Sequence, residues 1–62
     1  MNEDDLMTYA ETAAWLGLKI NTIYSMVARH EIPHVRLGAR IVRFSRVAIA
    51  AWLRERTVLP HP

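Results

Sequence analysis

With 62 residues the chain has room for one domain, and folding buries only about 60% of the surface that an unfolded chain of this size exposes, so stability must come from few residues. It contains no cysteine, which excludes a disulfide staple and a thiolate metal site and is compatible with a reducing compartment. The net charge of +2 hides an asymmetry: Glu3, Asp4, Asp5 and Glu11 make residues 1–11 acidic, the other 51 residues carry +6, and six of the eight basic side chains lie in the last 27 positions. Those six are Arg36, Arg40, Arg43, Arg46, Arg54 and Arg56. A footprint on nucleic acid would need such clustering, although a solvated basic surface would share it. The longest apolar run, Val47 to Leu53, is seven residues, far short of the roughly 20 that span a bilayer, and the acidic start is wrong for a secretory signal. A soluble, intracellular protein is expected.

Residues 1–5 have too little apolar surface to pack and are expected to be disordered. Thr8 and Glu11 form the Thr-x-x-Glu capping box, which predicts a first helix from about Tyr9. Ala13 and Leu16 fall on one face, the small Ala13 allows close approach of a second helix, and Gly17 can take the left-handed conformation that ends a helix. A second helix is expected from Ile20 to His30, about 16 Å long, stopping before Ile32-Pro33. Its Ile20, Ile23, Tyr24 and Val27 follow i, i+3, i+4, i+7 spacing, with Met26 widening the stripe. Asn21, Thr22, Ser25 and Arg29 line the opposite side. An ordinary amphipathic helix would show the same division. Two short helices joined at a tight turn are nevertheless the unit that places one helix in a DNA major groove.

Val35 to Phe44 reads as a hairpin bearing Arg36, Arg40 and Arg43 and no acidic residue. A two-residue turn at Gly38-Ala39 puts glycine at the first central position of a type II′ turn. That register pairs Val35 with Val42, turns both inward with Leu37 and Phe44, and leaves Arg36, Ile41 and Arg43 outward with Arg40 near the tip. Ser45 then caps a third helix, Arg46 to about Arg56, whose inward face is Ile49, Trp52 and Leu53. The fold class expected is mainly α with a small β-hairpin: a winged helix-turn-helix over residues 6–56, with residues 57–62 as a flexible tail.

His30-Glu31-Ile32-Pro33-His34 matches the H-E-x-x-H string of zinc peptidases. That chemistry needs both histidines on one face of a continuous helix, and Pro33 between them removes a backbone donor and clashes with the preceding turn. Only His61 offers a further histidine, and a chain this short can hardly enclose a water-excluding cleft. No glycine loop cradles a phosphate, and Ser25 and Ser45 have structural explanations. The expectation is a protein that is not an enzyme, with no cofactor and no metal.

Thr8-x-x-Glu11-Thr12-Ala13, Leu16-Gly17-Leu18, Thr22-Ile23-Tyr24, Glu31-Ile32-Pro33, Val35-Arg36-Leu37-Gly38-x-Arg40, Arg43-Phe44 and Trp52-Leu53 together resemble the small excisionases of phages and integrative elements, within the MerR-like winged-helix group. The resemblance spans about Leu6 to Leu53. It departs at Lys19, where serine or threonine is usual, and at Ile20, Asn21 and Ser25, often arginines in that family. The resemblance implies double-stranded DNA as partner, with the second helix in the major groove and the wing on the backbone or in the adjacent minor groove. Asn21 can then read adenine, Thr22 and Ser25 can bond bases or phosphates, and Lys19 can neutralise a phosphate. Arg40 suits a narrow minor groove, the Tyr24 hydroxyl can reach a phosphate, and Arg29, Arg36 and Arg43 complete the candidate surface.

The implied activity is binding and bending of attachment-site DNA so that a site-specific integrase excises rather than integrates. The implied location is the cytoplasm of a bacterial host, on the nucleoid when DNA-bound. Nothing after the third helix reads as a long dimerisation helix, which favours head-to-tail self-association on DNA, with Glu3-Asp4-Asp5 or Val58-Leu59-Pro60 touching a neighbour. Two other readings stay open: a small MerR-like transcriptional regulator or phage repressor, and a module whose second helix grips a partner protein.

Overall fold

The computed structural model describes residues 6–60. The element order is β1 (Leu6–Met7), α1 (Tyr9–Leu16), α2 (Ile20–Ala28), β2 (Val35–Arg36), β3 (Val42–Ser45) and α3 (Arg46–Arg56). The three strands form an antiparallel sheet in the order β1-β3-β2. This is a winged helix-turn-helix arrangement, mainly helical as the sequence predicts, with one strand, β1, that the sequence reading lacks. The expected disorder of residues 1–5 lies outside the described residues, as do His61 and Pro62. Thr57–Pro60 are exposed and form neither helix nor strand.

α1 begins where the capping box places it. The Thr8 hydroxyl accepts from the Glu11 amide at 3.1 Å, and the Thr8 amide donates to Glu11 Oε1 at 2.9 Å. The Thr8 backbone amide first, and then the Thr8 side chain, hold the Glu11 carboxyl below the usual glutamate range; desolvation opposes them, and Arg46 and Arg43 add smaller lowering contributions. The helix closes on Gly17 at φ 69°, with Leu18 N–H donating to the Ala13 carbonyl at 2.9 Å and Gly17 N–H to that of Ala14 at 3.3 Å. That pairing satisfies carbonyls the helix would otherwise leave unbonded.

α2 starts at Ile20 as expected but stops at Ala28 rather than His30. Pro33 is not what ends it. His30 adopts φ 58°, and the amides of His30 and Glu31 return to the carbonyls of Val27 (3.0 Å) and Met26 (2.8 Å), the same closure that Gly17 makes on α1. A side chain in this region carries a backbone penalty of about 1–2 kcal/mol that glycine avoids. His30→Gly is therefore expected to stabilise the free protein by about 1 kcal/mol and raise its thermal midpoint by roughly 4–8 °C. A midpoint that falls would mean that imidazole contacts outweigh the strain.

The core is Met7, Ala13, Ile23, Val27, Ile32, Val42, Phe44 and Ile49, with Tyr9, Leu16, Met26 and Trp52 packed against it. Thr12 is also buried, its hydroxyl donating to the Thr8 carbonyl at 2.8 Å. Phe44 lies in the central strand, fully buried, with the Tyr9 ring edge-on at 5.2 Å and Tyr24 stacked on Tyr9 at 4.2 Å. On the helices, three inward assignments need correction. Ile20 opens α2 one turn ahead of Ile23 and stays exposed, Tyr24 is held by the Tyr9 ring yet 49% exposed, and Leu53 falls on the last turns of α3, beyond the core. Trp52 is half-buried, its outer ring face covered by the Arg56 guanidinium at 4.6 Å. α3 itself runs over the expected span, with the Ser45 hydroxyl accepting from the Ala48 amide at 3.1 Å.

The wing differs from expectation in register. Val35 pairs with Arg43 and Arg36 with Val42, and Leu37 N–H donates to the Ile41 carbonyl at 2.8 Å. The loop is thus three residues, Gly38, Ala39 and Arg40, not two, and Gly38 does not take the positive φ of a type II′ turn. A one-residue shift exchanges the faces of a strand. Val35 and Leu37 therefore turn outward beside Arg43 and Ile41, whereas Arg36 shares the side of Val42 at the edge of the core, where it remains exposed.

Candidate nucleic-acid interface

The turn from Gly17 to Lys19 sets α2 across α1 so that Ile23 and Val27 are buried and the other side of the helix meets solvent. Asn21, Thr22, Ser25 and Arg29 are all exposed there, as expected, and Lys19 stands exposed at the helix start. Lys19 makes no side-chain capping bond. The start of α2 therefore lacks the hydroxyl cap that Thr8 and Ser45 supply to the other helices: the Thr22 amide turns back to the Lys19 carbonyl at 2.9 Å, and the positive end of the helix dipole favours an anion near Ile20 and Asn21. Arg29 lies 3.9 Å from Glu31 with both side chains well exposed, a pairing too weak to withhold the guanidinium from a phosphate.

Among the wing residues, Arg36 and Arg40 are exposed, and Arg40 sits in the tip loop. Arg43 is half-buried, and its Nη1 donates to the Val42 carbonyl at 2.8 Å, so of the candidate residues it is the most constrained. Between Glu31 and Glu55 the chain contains five arginines and no acidic residue, and the wing lies wholly within that stretch. Tyr24 brings its half-exposed ring to the boundary of the polar stripe. The side chains that sequence reasoning did not assign to this surface are Leu37 and Ile41, which flank the tip loop. Ile41 faces outward in either register; for Leu37 only the loop length would have revealed it, since that decides which face the β2 side of the wing presents.

The zinc-peptidase string has a different geometry from its namesake. α2 ends before His30, so His30 and His34 do not share a helix; their ring centroids are 6.2 Å apart, and His34 Nδ1 lies 2.8 Å from the Ile32 carbonyl oxygen. Among the described residues no group of three or more His, Cys, Asp or Glu side chains is placed to hold a metal ion, and no helix is long and apolar enough to cross a membrane. A shallow depression lies beside this segment, bounded by Ile32, Pro33, Trp52 and Arg56.

No curated protein and no solved structure gives a significant match to the chain. The sequence profile of the helix-turn-helix domain family matches residues 6–57, and the protein belongs to that family, whose architecture points to double-stranded DNA as its partner.

Proposed function

We propose that the protein is a sequence-specific DNA-binding excisionase, acting as a binding and bending module rather than an enzyme. It would dock α2 in the major groove of attachment-site DNA and lay the wing on the adjacent backbone or minor groove, promoting integrase-mediated excision. The observation that carries the reading is the exposed polar stripe Lys19, Asn21, Thr22, Ser25 and Arg29, set beside an arginine-bearing wing that contains no acidic residue. The excision role itself is supported by the motif resemblance and by a family that includes excisionase-like DNA-binding proteins. A small regulator or repressor on the same fold is the second reading, favoured by the same stripe.

Selection of binding sites from a random duplex library separates these readings. A short asymmetric motif, especially in closely spaced direct repeats, supports a cooperative excisionase; a palindrome moves the assignment to a dimeric regulator; no enrichment removes specific DNA recognition. On the recovered site, Arg40→Ala is expected to weaken binding and to lower the slope of log affinity against log salt by about one unit. An unchanged slope across a potassium chloride series would place Arg40 outside the interface.

A further inference from the structure

The observed register gives the wing an apolar outer face. Leu37 faces Ile41 across the loop and Val35 faces Arg43, so three aliphatic side chains share the side turned away from Val42 and Phe44. Val35 is 40% exposed, Leu37 57% and Ile41 48%. A 62-residue chain has little apolar surface to spare, and here it leaves a contiguous aliphatic group in water. Leu37 and Ile41 sit opposite each other across the strands, a pairing that steadies hairpins, yet each residue stays about half exposed.

Charge and shape identify the occupant. Arg43 shares this face opposite Val35, Arg40 occupies the tip loop, and the wing carries no acidic residue, which calls for a polyanion rather than an apolar protein surface. The tip is slim, because Gly38 and Ala39 contribute almost no side chain and Arg40 is the only long one in the loop. Ile41 folds along this tip: its Cδ1 lies 3.7 Å from where a Cβ on Gly38 would be. A B-DNA minor groove is about 6 Å wide, with acceptors on its floor and the carbon-rich faces of deoxyribose along its walls. A cationic point with aliphatic shoulders matches that cross-section.

We propose that Leu37 and Ile41 are DNA-contacting residues. With the wing tip in the minor groove, Arg40 reaches the floor and the two aliphatic side chains, which share one face of the hairpin, pack together on the deoxyribose faces of one wall. This rests on the DNA-binding reading given above and names the sugar faces as a part of that site.

The test is the double variant Leu37→Ala/Ile41→Ala, titrated over a salt series against duplexes carrying one copy and two tandem copies of the selected site, with the thermal midpoint of the free protein measured in parallel. Affinity is expected to fall about tenfold at every salt concentration with the wild-type slope retained, because an apolar contact releases no counterions. Wild-type affinity in the variant would overturn the proposal. So would a slope reduced as in Arg40→Ala, since the aliphatics would then serve only to hold the hairpin that presents the arginines. Loss of affinity confined to tandem sites would assign the face to a neighbouring copy instead. These three results leave DNA binding standing, whereas failure of the wild-type protein to bind any duplex removes that reading and the wall contacts together.

Discussion

Phe44→Ala is expected to lower the thermal midpoint of the free protein by about 15 °C or more, the largest effect of any single truncation in the chain. Phe44 is fully buried in the central strand, paired across the sheet with Met7 and met by the Tyr9 ring. Removing a buried phenylalanine costs about 3–5 kcal/mol, from lost transfer energy and the cavity left behind. At roughly 0.05–0.15 kcal/mol per residue, a 62-residue domain has only about 3–9 kcal/mol to lose, so the variant should be partly unfolded at physiological temperature. Circular dichroism during a thermal scan reads this directly. A fall of less than about 5 °C would mean that the surrounding side chains collapse into the space and that Phe44 is not the centre of the core.

Asn21→Ala is expected to weaken binding to the selected site by about 5- to 150-fold while leaving affinity for unrelated duplexes unchanged. The reason is geometric as well as chemical. Asn21 is the second residue of α2, exposed on the stripe opposite Ile23 and Val27, where the start of the helix would meet base edges; its amide can donate to and accept from adenine at once. Competition titrations with selected and scrambled duplexes separate this from a phosphate contact. Equal weakening on both would take base reading away from Asn21 and leave it a backbone contact.

The parts of the fold that are legible in the sequence are those with a local chemical cause. The Thr8–Glu11 box, the Gly17 turn and the Ser45 cap fix the ends of α1 and the start of α3, because each is closed by groups no more than five residues apart. The end of α2 is harder to read, since His30 takes a backbone conformation usually given to glycine, and Pro33 offers a more conspicuous stop three residues later. β1 is only two residues long, too short for any alternating pattern, and it exists because β3 has a free edge to pair with. The wing register turns on whether the loop has two or three residues. The sequence Leu37-Gly38-Ala39-Arg40 permits both, and the choice exchanges Val35 and Leu37 for Arg36 on the outer face. For the candidate interface, polarity at helical spacing was enough to find the stripe on α2. The apolar outer face of the wing was only half visible: Ile41 faces outward in either register, whereas Val35 and Leu37 would be inside in the expected one.

The position of β3 has a consequence for how the chain acquires its structure. The helix-turn-helix segment is covalently complete by His30, yet Ile23 and Val27 share their core with Val42, Phe44 and Ile49, and β1 finds its partner 39 positions away, where Leu6 pairs with Ser45. During synthesis, the first half of the protein would therefore leave the ribosome with an apolar helix face and an unpaired strand, and nothing to cover either. Folding should occur as one late event once Ile49 has emerged. A released chain ending before Ser45 should be digested readily by protease, and one that continues through Arg56 should resist.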